Sequence, residues 1–164
     1  MIQKKICMVG ASAVGKTSLV SRFVKSIYSD IYHATIGVKI DKKSLKVGEQ
    51  EVNLMLWDIA GEDEFQKITT SYLQGAAGYI LVVDGTRQET LHQAISIQTR
   101  VEAVVGPVPF ILLINKSDLE KQWQVTPEMI RQLTEKGWTV LQGSAKTGLG
   151  VEDAFQTLGR AMLS

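Results

Sequence analysis

The sequence predicts an α/β fold, a mainly parallel sheet with helices on both faces. Short apolar runs of strand length alternate with segments of helical period along the chain. A glycine-bearing loop, Gly10-Ala11-Ser12-Ala13-Val14-Gly15-Lys16-Thr17, stands between the first such run and the first helix. The other chemically suggestive segments, near residues 58–61, 115–118 and 144–146, each follow a predicted strand, so all share the rim where parallel sheets bind ligands.

The opening strand is Ile6-Cys7-Met8-Val9. After the loop, Lys16 to Val24 places Leu19, Val20, Phe23 and Val24 at helical spacing, a first helix against the sheet. Periodicity fails from Lys25 to Gly37, where Ser26, Tyr28, Ser29, Asp30, Tyr32, His33 and Thr35 make a polar loop with aromatics, of a length more often functional than filler. Val38 to Val47 resumes strand alternation, and its change of apolar parity between Ile40 and Leu45 predicts a bulge or local irregularity near Lys42 and Lys43. A hairpin turn over Val47-Gly48-Glu49-Gln50-Glu51 leads into Glu51 to Trp57, apolar on both faces as in mid-sheet. Asp58-Ile59-Ala60-Gly61 ends that strand, and the acidic Glu62-Asp63-Glu64 opens a second irregular segment to about Gly75.

Gly78 to Asp84 is a continuous apolar run, hence a strand covered on both sides. Thr86 to Val105 reads as a long helix with Leu91, Ala94, Ile95, Gln98, Val101 and Val105 along one side, stopped by Gly106-Pro107. Phe110 to Ile114 is the next buried strand. Thr126-Pro127-Glu128 starts a helix that Gly137 closes, Trp138 to Leu141 is the last strand, and Val151, Ala154, Phe155, Leu158 and Met162 stripe a closing helix.

At 164 residues with 45% hydrophobic and 21% charged, the chain suits one domain, residues 1–164, with one sizeable core. A formal net charge of +1 gives no field for nucleic acid or an anionic membrane. The lone Cys7 lies in an apolar strand and reads as a buried, inert thiol of a reducing compartment. No apolar run approaches membrane-spanning length, no secretory or myristoylation signal opens the chain, and no cysteine near Ser164 takes a prenyl group, so the expectation is a soluble cytoplasmic protein without a direct lipid anchor. His33 and His92 lack metal-ligand spacing. Trp123 and Trp138 read as packing, with an exposed Trp123 the alternative of a partner anchor.

The loop at 10–17 fits G-x-x-x-x-G-K-[ST], in which backbone N–H groups face phosphate oxygens at a helix N-terminus, the lysine (Lys16) reaches β- and γ-phosphates, and the hydroxyl (Thr17) ligates Mg²⁺. Asp58 in D-x-x-G is placed to hold Mg²⁺ through a water, with Gly61 offering an N–H to the γ-phosphate; alone, the pattern is equally a strand-ending turn. Asn115-Lys116-x-Asp118 fits guanine. Asp118 accepts from its N1–H and exocyclic amine together, Asn115 donates to N7, and the Lys116 stem lies on the base. Adenine would leave that carboxylate facing an unprotonated nitrogen, at a cost of about 1–3 kcal/mol. Ser144-Ala145-Lys146 completes the pocket if the Ala145 N–H donates to the guanine carbonyl oxygen.

Across essentially the whole chain these residues resemble a small GTPase of the Ras superfamily, nearest the Rab-like branch by Thr35-Ile36-Gly37-Val38 and Leu56-Trp57-Asp58-Ile59-Ala60-Gly61. The resemblance implies the P-loop NTPase fold of a small G domain, with a six-stranded sheet, one antiparallel edge pair and five helices. It implies GTP or GDP with Mg²⁺, held by Ser12, Ala13, Val14, Gly15, Lys16, Thr17 and Ser18 and by the segments at 115–118 and 144–146. It further implies Tyr28 stacked on guanine, Tyr32 over the phosphates, and Thr35 joining Thr17 and Asp58 on Mg²⁺ in the triphosphate state; the lesser alternative for Tyr28 and Tyr32 is that of loop aromatics docked on the surface. Effector, exchange and GTPase-activating proteins would engage a monomer through two switch loops.

Two departures stand out. Where the family usually has glutamine after D-x-x-G, this chain has Glu62, which accepts from the attacking water but has no N–H to donate and adds negative charge. The opposed effects leave the sign of the rate change open, and a solvated loop charge is the plain alternative. The missing prenylation cysteine fits action in solution, recruitment by a partner, or removal of a tail. Lys39, Lys42, Lys43 and Lys46 read first as a solvated edge strand, with a basic partner or lipid surface the alternative, and Ser12 and Ala13, where many relatives have glycine, add bulk beside the phosphates that bears on entry of a partner's arginine finger. The expected activity is slow GTP hydrolysis in a two-state switch, with Lys16, Thr35, Gly61 and Glu62 at the reacting phosphate. The rivals are a GTP-binding interaction module that hardly hydrolyses and an ATP-using P-loop enzyme in which Asp118 is idle.

Overall fold

Alternation in Ile6-Cys7-Met8-Val9 requires burial on two faces, and the computed structural model, which describes residues 2–26, 37–63 and 67–164, places that strand inside the sheet. Among these residues the chain runs β1 (Ile2–Gly10), α1 (Lys16–Lys25), β2 (Val38–Val47), β3 (Gln50–Ile59), β4 (Gly78–Asp84), α2 (Gln88–Val105), β5 (Phe110–Asn115), α3 (Pro127–Glu135), β6 (Val140–Gln142) and α4 (Val151–Leu163). Short 3-10 turns lie at Thr70–Leu73 and Glu120–Gln122. The strand order is β2-β3-β1-β4-β5-β6, parallel at every joint except the β2–β3 hairpin. The expected α/β class and mostly parallel six-stranded sheet are observed, and no helix among the described residues is long and apolar enough to cross a membrane.

Strand parity assigns the helices to faces. Ile6 and Met8 pack with Leu19, Val20 and Phe23 of α1 and with Ala154, Phe155 and Leu158 of α4. Cys7 and Val9 pack with Leu91, Ala94 and Ile97 of α2 and Leu133 of α3. β4 is buried at all seven positions, as its unbroken apolar run requires. Cys7 is the inert thiol expected: it is fully buried, and desolvation pushes its pKa up to about 11 against a weaker opposing pull from Lys5. Trp138 packs edge-on to Phe110 with ring centroids 5.1 Å apart, and Trp123 is half-buried over Gly85, so both tryptophans pack.

Four details differ from the sequence reading. The β2–β3 register runs without a break from Val38↔Ile59 to Val47↔Gln50, so there is no bulge near Lys42 and Lys43. The parity change arises because the ends of this edge strand serve opposite faces, Val38 joining the α2 side and Leu45 and Val47 the α1/α4 side, with Ile40 between them exposed. On α2, Ile97 is buried in the core with Leu91, Ala94 and Val101, whereas Ile95 is only half-buried. The last strand starts at Val140 rather than Trp138. Of the five helices the resemblance implies, four are present among the described residues, and the described part of the segment between β3 and β4 holds only the turn at Thr70–Leu73. Lys39 pairs with Asp41 at 3.8 Å and Lys43 lies over the Phe23 ring, in keeping with a solvated edge.

The chain leaves β1 towards β3 and β2, then returns to β4 on the other side of β1. The loop after β1 therefore opens at the point where strand order reverses, between the carboxyl ends of β3 and β4.

Phe155, fully buried, stacks on Phe23 with centroids 3.8 Å apart and planes 6° from parallel. Phe155→Ala is expected to destabilise the fold by about 3–5 kcal/mol, read as a lower urea midpoint at unchanged slope.

Candidate functional site

The site is built on the direction of peptide groups in the loop after β1. Gly15 caps α1 at φ 103°, and a Cβ there would lie 2.2 Å from Asn115 Nδ2, so only glycine suits both the backbone and the neighbour. Asn115, 2% exposed at the end of β5, donates from Nδ2 to the Val14 carbonyl at 3.0 Å and accepts at Oδ1 from the Ala145 N–H at 3.1 Å. Lys116, at φ 71°, donates from Nζ to the Ala13 carbonyl at 3.4 Å and to Asp84 Oδ2 at 2.7 Å. The Ser12 carbonyl accepts from Arg87 Nη2 at 3.0 Å, and Arg87 Nε donates to the same Asp84 oxygen at 3.0 Å. The successive carbonyls of Ser12, Ala13 and Val14 are thus all bonded from the ends of β4 and β5. Across a trans peptide the C=O and N–H point in opposite directions, so the N–H groups of Ala13, Val14 and Gly15 face away from those partners, the geometry of an anion nest.

Lys16 and Thr17 open α1 beside this nest. Lys16 is 6% exposed, and its ammonium donates to the Ala11 carbonyl at 2.8 Å. Burial lowers its pKa to about 8, with Asp58 pulling it up and Arg87 pushing it further down. Asp58, fully buried near the end of β3, accepts at Oδ2 from the Thr17 hydroxyl at 2.6 Å. Its Oδ1 is buried and has no hydrogen-bond partner among the described residues. Burial pushes this carboxyl above its ordinary range despite the Thr17 bond and nearby Lys16 and Lys39. A hydroxyl and a carboxylate converging as hard oxygen donors, one oxygen left over, fit a small divalent cation such as Mg²⁺.

Gly61 lies against the loop, where a Cβ would stand 2.6 Å from Ser12 Cα. The Glu62 backbone docks beside it, its N–H donating to the Gly10 carbonyl at 3.1 Å and its carbonyl accepting from the Ser12 N–H at 2.9 Å. The Glu62 carboxylate is instead bound by both terminal nitrogens of Arg100 on α2, with the Ile68 N–H at 3.4 Å. Burial alone would raise its pKa, but the Ile68 N–H and above all Arg100 outweigh that and hold it below the usual carboxylate range.

At the far end of the rim, exposed Asp118 accepts from the buried Ser144 hydroxyl at 2.6 Å, and that oxygen accepts from the Thr147 N–H at 3.1 Å. Arg22 of α1 donates to the carbonyls of Ala145 (2.7 Å) and Lys146. The structure therefore brings Ser12 to Ser18, Asp58, Gly61, Glu62, Asn115, Lys116, Asp118 and Ser144 to Lys146 to one rim. The expected contributors Tyr28, Tyr32 and Thr35 lie outside the described residues.

Sequence reasoning missed Asp84, Arg87, Arg22 and Arg100. Asp84 had a signal, an acid ending a wholly apolar strand at the ligand rim. The arginines had none, since each acts on a backbone carbonyl or a carboxylate remote in the chain.

Comparison with known proteins gives a match to the Ras family model over residues 5–164. "Ras-related protein RABA4b" of Arabidopsis thaliana is 36% identical over 156 residues, 94% of this chain and 70% of the relative. "Ras-related protein Rab-4B" of Homo sapiens is 35% identical over 162 residues, 98% of this chain and 76% of the relative. "Ras-related protein Rab-13" of Bos taurus is 34% identical over 161 residues, covering 97% and 79% respectively.

Asp84, 1% exposed, also accepts at Oδ1 from the Thr86 N–H and hydroxyl, and its donors overcome burial to hold its pKa below the ordinary value. A carboxyl depressed in the folded state stabilises at pH above its unfolded pKa, and that stability is lost as pH falls through the folded value. Asp84→Asn is expected to lower stability at neutral pH by about 2–3 kcal/mol and to flatten the loss below about pH 4, read from urea unfolding across that range.

Proposed function

Because the chain belongs to the Ras family, among the Rab-like small GTPases, we propose that residues 1–164 form one G domain that takes GTP or GDP along this rim and hydrolyses GTP slowly as a two-state switch. The carrying observation is the Asn115 carboxamide: one side chain ties the loop bearing Lys16 to the segments bearing Asp118 and Ala145, so a single molecule can touch all three. Phosphates would lie against the N–H groups of the 13–15 stretch, with Lys16 exchanging its bond to Ala11 for phosphate oxygens. Guanine would lie by Asp118, its ring edge read by the carboxylate that Ser144 orients. Thr17 and Asp58 would hold Mg²⁺, with Thr35 in the triphosphate state. When bound, the ion neutralises phosphate charge.

On this reading the γ-phosphate draws in Gly61 and Thr35, and its loss releases both, changing the surface that effector, exchange and activating proteins meet. Tyr28 and Tyr32 complete the nucleotide's cover. The Arg100–Glu62 pair favours a second reading, a GTP-binding module with little turnover, since the carboxylate in the water-orienting position is committed to α2.

The first test is the nucleotide that co-purifies with the protein, followed over time. Guanine triphosphate converting to diphosphate supports the switch, lasting triphosphate supports the module, and adenine nucleotide overturns both. Asp118→Ala is expected to weaken GTP by about 100-fold with no change for ATP. Single-turnover phosphate release from wild type and Glu62→Ala then reports on Glu62, and equal rates take it out of the chemistry.

A further inference from the structure

We propose that Arg87 is a positioning residue of the phosphate loop, acting through the Ser12 carbonyl and itself aimed by Asp84. This rests on the reading of the rim as a nucleotide site. Two of the three consecutive outward carbonyls, those of Ala13 and Val14, are held by Lys116 and Asn115, side chains of the segment that carries Asp118. Arg87 holds the first, and it comes from a different part of the chain, the turn between β4 and α2.

Its guanidinium suits this task because two nitrogens of a rigid fork engage two acceptors, Asp84 Oδ2 through Nε and the Ser12 oxygen through Nη2. Pinning that oxygen fixes the plane of the Ser12–Ala13 peptide, and the Ala13 N–H must then face the opposite side, into the nest. Removing the guanidinium removes the bond that Nη2 makes to this carbonyl. The same Ser12 residue gives its N–H to the Glu62 carbonyl and lies against Gly61, so its orientation also sets where the 61–62 segment docks.

The side chain is separable from the fold. It is 37% exposed, whereas the contribution of residue 87 to the start of α2 is made by its backbone carbonyl, which accepts from the N–H and hydroxyl of Thr90. Asp84 is the aiming group, since the oxygen that takes Arg87 Nε also takes Lys116 Nζ, which places two cations under adjacent carbonyls.

The test uses the full chain stripped of nucleotide, with equilibrium binding of GDP, GTP and guanosine to wild type, R87Q, D84N and the double variant in Mg²⁺. R87Q is expected to weaken GDP and GTP by about tenfold, the loss of one charge-assisted hydrogen bond, and to leave guanosine unchanged. R87Q should also lose less in the D84N background than in wild type, because Asp84 no longer aims the arginine there. Equal weakening of guanosine, or failure of R87Q to bind any of the three, makes Arg87 a strut of the fold and overturns the inference. So do unchanged GDP and GTP affinities, or full additivity with D84N. Failure of wild type to bind GDP would instead remove the nucleotide reading itself.

Discussion

A loop that receives a polyanion must turn its N–H groups towards the ligand, and each carbonyl then needs a donor on the far side. In this protein that requirement organises the rim. Asn115, Lys116 and Arg87 meet three consecutive carbonyls, and the two cations meet each other's field across one carboxylate, Asp84. The side chains are presented by adjacent parallel strands whose last residues pair, Asp84 opposite Asn115. Sheet register thus becomes loop orientation, and a core of Leu, Ile and Val on both faces keeps that register fixed.

The two buried acids of the rim separate by their partners. Asp84 has four kinds of donor around it, and they lower its pKa in spite of burial. Asp58 has the Thr17 hydroxyl and a bare oxygen, and burial wins. A carboxylate with every lone pair engaged is a structural anchor. One kept out of water with an oxygen unengaged has room for a cation, since a divalent ion would supply the favourable interaction that the protein withholds. Burial likewise lowers the pKa of Lys16, to about 8, against the upward pull of Asp58.

Much of this was legible in the sequence, for identifiable reasons. Long runs such as Gly78 to Asp84, and caps such as Thr126 with Pro127, encode their structure locally: β4 spans those residues, and the Thr126 hydroxyl accepts from the Met129 N–H at 3.2 Å. Motif residues were legible because their chemistry is tied to spacing. The parity change in β2 misled because alternation measures burial, and an edge strand can bury different faces at its two ends. Arg87, Arg22 and Arg100 were illegible because an arginine's long stem lets it serve an acceptor far away in sequence, with no periodicity to betray it.

Two non-glycine residues of the rim sit in the left-handed region, Ala13 at φ 63° and Lys116 at φ 71°, and they are bonded to each other through Lys116 Nζ and the Ala13 carbonyl. Each conformation costs roughly 1 kcal/mol or more, so the surrounding bonds must over-determine them. The 61–62 segment is different. Its docking is carried by the Glu62 N–H and carbonyl and by contact of Gly61 with Ser12, none of which depends on the side chain at 62. The carboxylate meanwhile answers to Arg100. Docking of the 61–62 backbone is therefore separable from the carboxylate at 62, which is held by Arg100 on α2.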